Sequence, residues 1–244
     1  RDRNSDGSID ETYGTGFNNG IYAIKVLSDD SILLGGAFTS YKGVTTNYLT
    51  KLNYDGTLDE TFATNANALN LDSDIDCIAI DGSGKILIGG KFTKGILRLN
   101  SNGTLDSSFN SGGEGFTGTT IPAPGLCTKI IVQPDNKILV THAYSSYNGT
   151  SCGVISRLNS DGTLDTGFAP IVTMNPEDVD IGYGMVLQNN GKIVVGGFFN
   201  LSNGLTNQNI TRLNSDGTTD ASFVKEFGFY FDWQYAVLGL TQDS

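Results

Sequence analysis

A short motif recurs five times along the chain and constrains its fold more than any other feature. Its copies read RNSDGSID, LNYDGTLD, LNSNGTLD, LNSDGTLD and LNSDGTTD, with the turn glycine at Gly7, Gly56, Gly103, Gly162 and Gly217. Successive glycines are separated by 49, 47, 59 and 55 residues. A fixed period of roughly 20 to 50 residues is typical of propellers and solenoids, in which each repeat is one supersecondary unit. The sequence therefore predicts a repeat array.

The composition favours many short strands over long helices. The 244 residues include 32 glycines, 10 tyrosines and 13 phenylalanines, but only two methionines. Glycine suits tight turns, and aromatic residues are enriched in strands. Because the repeat runs from end to end, we predict a single domain over residues 1–244. Its units are predicted at 14–62, 63–109, 110–168 and 169–223, with partial units at 1–13 and 224–244.

Each complete unit contains apolar stretches that indicate three strands. In the second unit, IDCIAIDGSG runs from Ile75 through a turn into KILIGGKF, and GILRLNSNG follows. The continuous Ile and Leu of the middle stretch indicate a strand buried on both faces. The segment after the motif, such as TLDSSF, predicts a fourth, outer strand or a blade-to-blade staple. It places one large apolar anchor in each unit: Phe62, Phe109, Phe168 and Phe223.

These patterns predict an all-β fold, namely a β-propeller of tandem antiparallel blades with three to four strands each. About five blades, or part of a larger propeller, are expected, and a β-helix is the alternative fold. The diglycines at 35–36, 89–90 and 196–197 are similar to those of kelch blades, but the Tyr and Trp of that motif are missing.

The order of the motifs resembles a known repeat family. A stretch of the form KILVGGxF, followed by RLNSDGTLDxxF, is similar to the delta-60 repeat of bacterial and phage proteins, and four successive units carry it. The resemblance covers nearly the whole chain. It implies a propeller in a secreted, surface or virion protein, and it implies no shared catalytic residues.

The charge and the ends of the chain bear on its partners and context. The net charge is −11, whereas binding to nucleic acid or an anionic membrane requires a field of Lys and Arg. No apolar run approaches 18 residues. We therefore predict no nucleic-acid partner and no membrane insertion. Because the terminal units are partial and the chain opens at Arg1, we expect a portion of a longer polypeptide, from which a leader or upstream domain is missing.

Cysteine and histidine provide few candidate sites. Cys77, Cys127 and Cys152 match no metal-binding spacing, so buried free thiols are expected. His142 is the only histidine, and it interrupts the repeat because it replaces the second glycine of the diglycine, as Thr141-His142. Functional sites often occur where a pattern fails. His142 is therefore a candidate binding residue facing the propeller channel, and the alternative is a packed histidine.

The first copy of the motif is similar to a calcium-binding loop. Asp2, Asn4 and Asp6 match ligand positions of an EF-hand loop. However, Tyr13 stands at the twelfth position, and the other copies place Lys or Arg where Asp2 stands. We therefore predict structural turns and no metal site, with calcium left open only at the first copy.

The last variable loop has the most distinctive chemistry. Loops of variable sequence on a regular scaffold often carry binding residues. The sequence VKEFGFYFDWQY concentrates six aromatic residues: Phe227, Phe229, Tyr230, Phe231, Trp233 and Tyr235. If they are exposed, they suit a sugar face or a partner protein, and if they are buried, they form a cap on the last blade. These six residues and His142 are the predicted binding residues.

The predicted function follows from the absence of catalytic motifs. The sequence shows no phosphate-binding loop, nucleophile motif or paired catalytic carboxylates outside the repeat. We predict that the protein is not an enzyme and uses no cofactor. The leading hypothesis is a non-enzymatic β-propeller interaction or structural module of a larger surface-exposed assembly, either a phage virion tail or fibre component or a secreted bacterial surface protein. Its predicted partners are other protein subunits and a cell-surface glycan.

Two alternative functions involve carbohydrate. A lectin-like, carbohydrate-binding module would use the aromatic residues of the last loop. A carbohydrate-active enzyme would need two carboxylates facing each other within about 10 Å. The candidate carboxylates on the variable loops are Glu114, Glu177, Asp178, Asp180 and Asp232.

Overall fold

The fold is seen in a computed structural model of the chain. The structure describes residues 6, 16–119, 126–168, 172–173, 181–201 and 210–223. These residues form short antiparallel strands and one α-helix, α1 (Glu60–Asn67). In this part of the chain no helix is long and apolar enough to cross a membrane.

The strands are short, as the composition predicts. In chain order they are β1 (Ile21–Val26), β2 (Ile32–Gly36), β3 (Ser40–Tyr41), β4 (Val44–Thr45), β5 (Leu49–Leu52), β6 (Ile75–Ile80), β7 (Ile86–Gly90), β8 (Ile96–Leu99), β9 (Phe116–Thr119), β10 (Cys127–Val132), β11 (Ile138–His142), β12 (Tyr144–Tyr147), β13 (Thr150–Ser151), β14 (Ile155–Leu158), β15 (Val172–Thr173), β16 (Ile181–Leu187), β17 (Ile193–Phe198), β18 (Asn200–Leu201) and β19 (Ile210–Leu213).

Four three-stranded sheets repeat one topology, and each belongs to one predicted unit. Their strand orders are β1-β2-β5, β6-β7-β8, β10-β11-β14 and β16-β17-β19, here called the first to fourth sheets. In every sheet the middle strand pairs antiparallel with both neighbours. The first strands of successive sheets pack against each other, β1 on β6, β6 on β10 and β10 on β16. This tandem arrangement confirms the predicted propeller and not the β-helix.

The repeated motif forms a tight turn after the third strand of each sheet. In the third unit, Asn159 N–H donates to Thr163 O, and Gly162 N–H donates to Asn159 O. The Asp161 carboxylate accepts hydrogen bonds from the amide and hydroxyl of Thr163, at 2.9 and 2.7 Å. Gly162 has a φ of +86°, which favours glycine. The motif's acid therefore stabilises its own turn, and Asp2 and Asn4 of the first copy lie outside the described residues.

The hydrophobic cores lie between successive sheets. Leu33 and Leu49 of the first sheet pack against Ile75 and Ile88 of the second, and all four are essentially inaccessible to solvent. Equivalent clusters fill the spaces between the second and third sheets and between the third and fourth. Middle strands are buried on both faces as a result, which explains their continuous Ile, Leu and Val.

The segment after the turn connects one blade to the next. Phe109 packs against the turn of the third unit, where a Cβ on Gly162 would come within 2.9 Å of its ring. Arg98 lies over the same ring, 4.8 Å from its centre, and donates to Ser160 O of that turn at 2.6 Å. The staple alternative is therefore confirmed in this unit.

The predicted outer strand does not form as an element of the described sheets. After the turn, the chain makes a single isolated β-bridge back to the third strand, such as that between Leu99 and Leu105. In the first unit the segment continues as α1 instead. Its N-cap is Asp59, whose carboxylate accepts from Phe62 N–H at 2.9 Å.

Small additional sheets anchor the variable segments that precede the first strands. In the third unit, β9 pairs with β12, which also pairs with β13. In the fourth unit β15 pairs with β18, and in the first unit Phe17 bridges to Tyr41 of the β3-β4 hairpin. These segments are therefore part of the blade that they precede.

Candidate functional site

A shared irregularity marks the beginning of the four first strands. In each sheet the register between the first and middle strands shifts by one residue at this point. Such bulges re-aim side chains and are common next to functional sites. The residues at the four shifts are Tyr22, Asp76, Thr128 and Tyr183. Because two are tyrosines and the others are an aspartate and a threonine, the row is polar but not uniform, and it is the candidate site on the propeller.

The second sheet supplies the charged part of this row. Lys91 Nζ forms an ion pair with Asp74 Oδ2 at 3.1 Å, and it lies 5.7 Å from the centre of the Tyr22 ring. Asp76 interacts electrostatically with both Lys91 and Asp74. Lys91 therefore connects the shifted positions of the first and second sheets. We call Tyr22, Asp74, Asp76 and Lys91 the Asp76 cluster.

Asp76 is the unusual group of this cluster. Its Oδ2 atom is buried and has no hydrogen-bond partner among the described residues. Burial raises the pKa of Asp76 to about 6, Lys91 opposes that shift, and Asp74 adds to it. Burial lowers the pKa of Lys91, but its hydrogen bond with Asp74 and the Asp76 charge outweigh burial, so the pKa is raised overall. The cluster therefore offers a free acceptor that changes protonation near neutral pH.

Asp76 gives a pH-dependent prediction for stability. Its folded pKa of about 6 lies above the unfolded value of about 3.9. The folded state therefore binds this proton more tightly, and stability contributed by Asp76 falls as pH rises from about 4 to about 6. As the pH rises from 4 to 8, we expect the free energy of unfolding of Asp76→Asn to increase by about 1–2 kcal/mol relative to that of the wild type, after allowing for solvent screening. Urea unfolding at both pH values measures this difference.

A matched variant tests whether the effect belongs to Asp76. Asp135→Asn changes an exposed turn carboxylate that accepts the Lys137 N–H, and an amide oxygen can replace it. We expect Asp135→Asn to follow the wild type at both pH values. A constant difference between Asp76→Asn and the wild type across this range would contradict the assignment.

Two thiols are buried beneath the cluster. Cys77 Sγ donates to Cys127 O at 3.2 Å, and a Cβ on Gly89 would lie within 2.8 Å of both sulfur atoms. Burial raises the pKa of Cys127 well above its usual value. Cys77, Cys127 and Cys152 are all free thiols; the first two are buried as predicted, whereas Cys152 is only half-buried.

His142 is packed inside the third unit. Its Nδ1 accepts from Tyr144 N–H at 3.2 Å, so Nε2 carries the hydrogen and donates to Ser156 Oγ at 2.9 Å. The Phe116 ring lies 4.4 Å from the imidazole centre. Burial lowers the pKa of His142 to about 3, so the ring is neutral at pH 7. The structure therefore shows the packed alternative, with both ring nitrogens engaged and no accessible surface.

The other predicted site residues are largely outside the described part of the chain. This applies to the six aromatic residues of the last loop, and to the candidate carboxylates except Glu114. Within the described ranges, no group of three or more His, Cys, Asp or Glu is arranged to hold a metal ion.

Sequence reasoning missed the Asp76 cluster although a signal was present. The first strand IDCIAI carries an acid in an otherwise apolar stretch, where the first unit has Tyr22 and the third has Thr128. Likewise, Lys91 follows its diglycine where the first unit has Ala37. Comparing the repeats position by position identifies both residues, but only the structure shows that they meet.

The repeats match a described protein family. Its description is "Domain of unknown function (DUF5122) beta-propeller", and the matched residues are 27–62, 82–109, 133–168 and 188–223. The match covers more than half of the chain. The chain belongs to this family. DUF5122 is a β-propeller family related to the delta-60 repeats, so the predicted resemblance holds at the level of the propeller repeat. No protein of curated function matches the sequence.

Solved structures with propeller-like folds resemble this DUF5122 chain. A protein of unknown function from Bacteroides caccae has a TM-score of 0.43 at 12% identity, covering 82% of this chain and 65% of that one. The extracellular domain of a putative one-component system from B. thetaiotaomicron has a TM-score of 0.45 at 14% identity, covering 76% and 21%. A streptogramin B lyase has a TM-score of 0.42 at 17% identity, covering 82% and 53%. This chain therefore spans less than two thirds of each structure's length.

These comparisons correct one prediction. The sequence was expected to exclude an enzyme because no catalytic motif stands outside the repeat. The exclusion of an enzyme is wrong, because the propeller-like structures that the DUF5122 chain resembles include a named enzyme, the streptogramin B lyase.

Proposed function

We propose that this DUF5122 protein is a β-propeller interaction module of a larger surface-exposed assembly. The exposed β1 side of the first sheet carries the proposal; the neighbouring Leu34 on the same face is buried in a cluster with Phe38 and Tyr41. Ile24 is 66% exposed and Val26 is 58% exposed, and both lie on β1 opposite Leu34 and Ile32 of β2. The face that they form points away from the second sheet, whose core is built on Leu33 instead.

The other sheets show what this face is suited to contact. Ile78, Ile130 and Met185 occupy the position of Ile24 in the second, third and fourth sheets. Each packs against the preceding sheet, and Ile130 is only 5% exposed and Met185 only 1%. The first sheet thus has the side chains of a sheet-to-sheet interface, but no other sheet in the described part of the chain packs against them.

Exposure of this face is costly to the isolated module. Burying a side chain such as Ile24 or Val26 is worth about 1.5–3 kcal/mol. Contiguous exposed apolar surface is uncommon on soluble monomers and marks interaction sites. A partner that covers the first sheet therefore gains a substantial part of its binding free energy from these two side chains.

The finer features of the function are predictions from the sequence and its family resemblance. The resemblance suggests the phage virion or secreted bacterial location, whereas the other protein subunits and the cell-surface glycan are partners predicted from the chain's own residues. Carbohydrate binding by Trp233 and its aromatic neighbours also stays a prediction, since those residues lie outside the described ranges.

Association of the purified chain tests the proposal. We expect the wild type to associate as its concentration rises in sedimentation velocity experiments, because the apolar face of the first sheet is available. Ile24→Lys places a charge on this face, and we expect it to weaken association at least tenfold, equivalent to about 1.4 kcal/mol.

A second variant separates this face from general surface hydrophobicity. Leu105→Lys changes an apolar side chain that is also half exposed, but lies at the outer rim of the second unit. It is expected to associate like the wild type. A wild type that stays monomeric at every concentration, or an Ile24→Lys variant that associates equally well, would overturn the proposal.

A further inference from the structure

The face that each sheet turns toward the next has a constant composition. It is formed by the second residue of the middle strand, the first residue of the third strand and the anchor phenylalanine. In the first sheet these are Leu33, Leu49 and Phe62, which are buried against the second sheet. In the second and third sheets the equivalent residues are buried as well: Leu87, Ile96, Phe109, Leu139, Ile155 and Phe168. We call this the forward face, and the opposite one the rear face.

The fourth sheet has an incompletely covered forward face. Its residues at these positions are Val194, Ile210 and Phe223, and each is only half-buried. The rear face of the first sheet is uncovered too, at Ile24 and Val26. The described sheets therefore begin and end in the two different halves of an interface that they form three times among themselves.

A polar contact of the same interface is also incomplete at the fourth sheet. Arg98 and Arg157 each donate from Nη1 to the turn of the following unit, at Ser160 O and Ser215 O. Within the described residues, Arg212 bonds only to its own unit, through Asp220 and Ser222. Its side chain is 21% exposed, compared with 10% for Arg157.

The first unit offers an acceptor of the kind that Arg98 and Arg157 use. Its turn has the same sequence pattern, and Tyr54 stands where Ser160 and Ser215 stand in the later units. The carbonyl of Tyr54 is therefore the equivalent acceptor on a first unit. Both the apolar and the polar halves of the interface point to the same pairing.

We propose that the rear face of the first sheet binds the forward face of the fourth sheet in a second copy of this chain. The inference rests on the proposed function, and it names the partner of that interaction surface. Because the two faces differ, the contact is head to tail. An open assembly of any length keeps one free rear face and one free forward face. Association therefore continues until a ring closes or an open chain forms.

A complementation experiment tests this arrangement. Ile24→Lys blocks the rear face and Ile210→Lys blocks the forward face, so we expect each variant alone to be monomeric. A mixture is expected to form a 1:1 heterodimer, because each variant retains the face that the other lacks. One variant is labelled with ¹⁵N. Native mass spectrometry then identifies the heterodimer by a mass midway between the masses of the labelled and unlabelled homodimers.

The outcomes separate this inference from the proposed function. If Ile24→Lys is monomeric but Ile210→Lys associates like the wild type, the interaction surface stands and the head-to-tail contact is overturned. A mixture that stays monomeric also overturns it. Circular dichroism checks that each variant is folded, and Val194→Lys, on the same face, replaces Ile210→Lys if that variant does not fold.

Discussion

Phe109→Ala is expected to lower the free energy of unfolding by about 3–5 kcal/mol, the usual cost of removing a buried aromatic side chain. Phe109 belongs to the core between the second and third sheets. Its ring supports the turn of the third unit at Gly162 and lies beneath the Arg98 guanidinium. Its loss therefore removes both core volume and the contact that aligns two blades. Urea unfolding followed by circular dichroism measures the effect.

The repeat supplies a matched control for this prediction. Phe223 occupies the same motif position and lies beneath Arg212, but it is only half-buried. We expect Phe223→Ala to cost about 1–2 kcal/mol, since less apolar area is returned to solvent. Both variants are made in the Ile24→Lys background, so that association does not contribute. Equal losses at the two positions would show that the anchor does not act by joining successive blades.

Local signals explain how much of the fold could be predicted from the sequence. The turn around Gly162 depends on residues within five positions, and its Asp and Gly suit only a few backbone geometries. The buried middle strands show as unbroken Ile, Leu and Val, as in β7. Because each unit repeats these signals, errors in one unit are corrected by the next, and the blade order follows.

Contacts between distant residues could not be predicted in the same way. Phe116 pairs with Tyr147 in an additional sheet, and no periodic pattern marks β9 as a strand. Tertiary packing decides such pairings rather than local propensity. The burial of His142 follows from this sheet, because the Phe116 ring covers the imidazole.

The candidate site depends on register, which the sequence does not specify to one residue. Asp76 occupies the register shift between β6 and β7, and a shift of one residue decides which face of a strand a side chain joins. Lys91 reaches Asp74 because β6 pairs with β7, and it reaches Tyr22 because adjacent first strands pack side by side. Comparison of the repeats shows which residue types occupy these positions, but it does not show that Lys91 contacts Asp74 and Tyr22.

Asp106→Ala is expected to be the second most damaging change, at about 3 kcal/mol, because it removes the acceptor that Lys85 and Arg98 share and leaves Arg98 only a longer ion pair. Asp106 Oδ2 accepts from Lys85 Nζ at 2.6 Å and from Arg98 Nε at 2.8 Å. Its Oδ1 accepts from Ser108 Oγ at 2.6 Å. The third and fourth units repeat this arrangement at Asp165 and Asp220. Urea unfolding at pH 7 measures the loss.

The same carboxylate gives the prediction a pH signature. Burial acts to raise the pKa of Asp106, but hydrogen bonds from Lys85, Ser108 and Arg98 outweigh it and hold the pKa well below its usual range. A depressed folded pKa means that this stability is present above about pH 4 and is lost as pH falls below it. The wild type should therefore lose more stability between pH 7 and pH 3 than Asp106→Ala does.

Asp106→Asn separates charge from shape in this network. It keeps the size of the side chain and removes its charge, so at pH 7 we expect a loss close to that of Asp106→Ala. At pH 3 the difference from the wild type should narrow, because Asp106 of the unfolded wild type gains a proton there while the folded carboxylate keeps its charge. If Asp106→Asn matches the wild type at pH 7, the geometry of the network stabilises the blade and its charge does not. The expected result would instead show that the repeated acids neutralise the Lys and Arg around them, so that much of the net charge of −11 serves the fold and says little about a ligand.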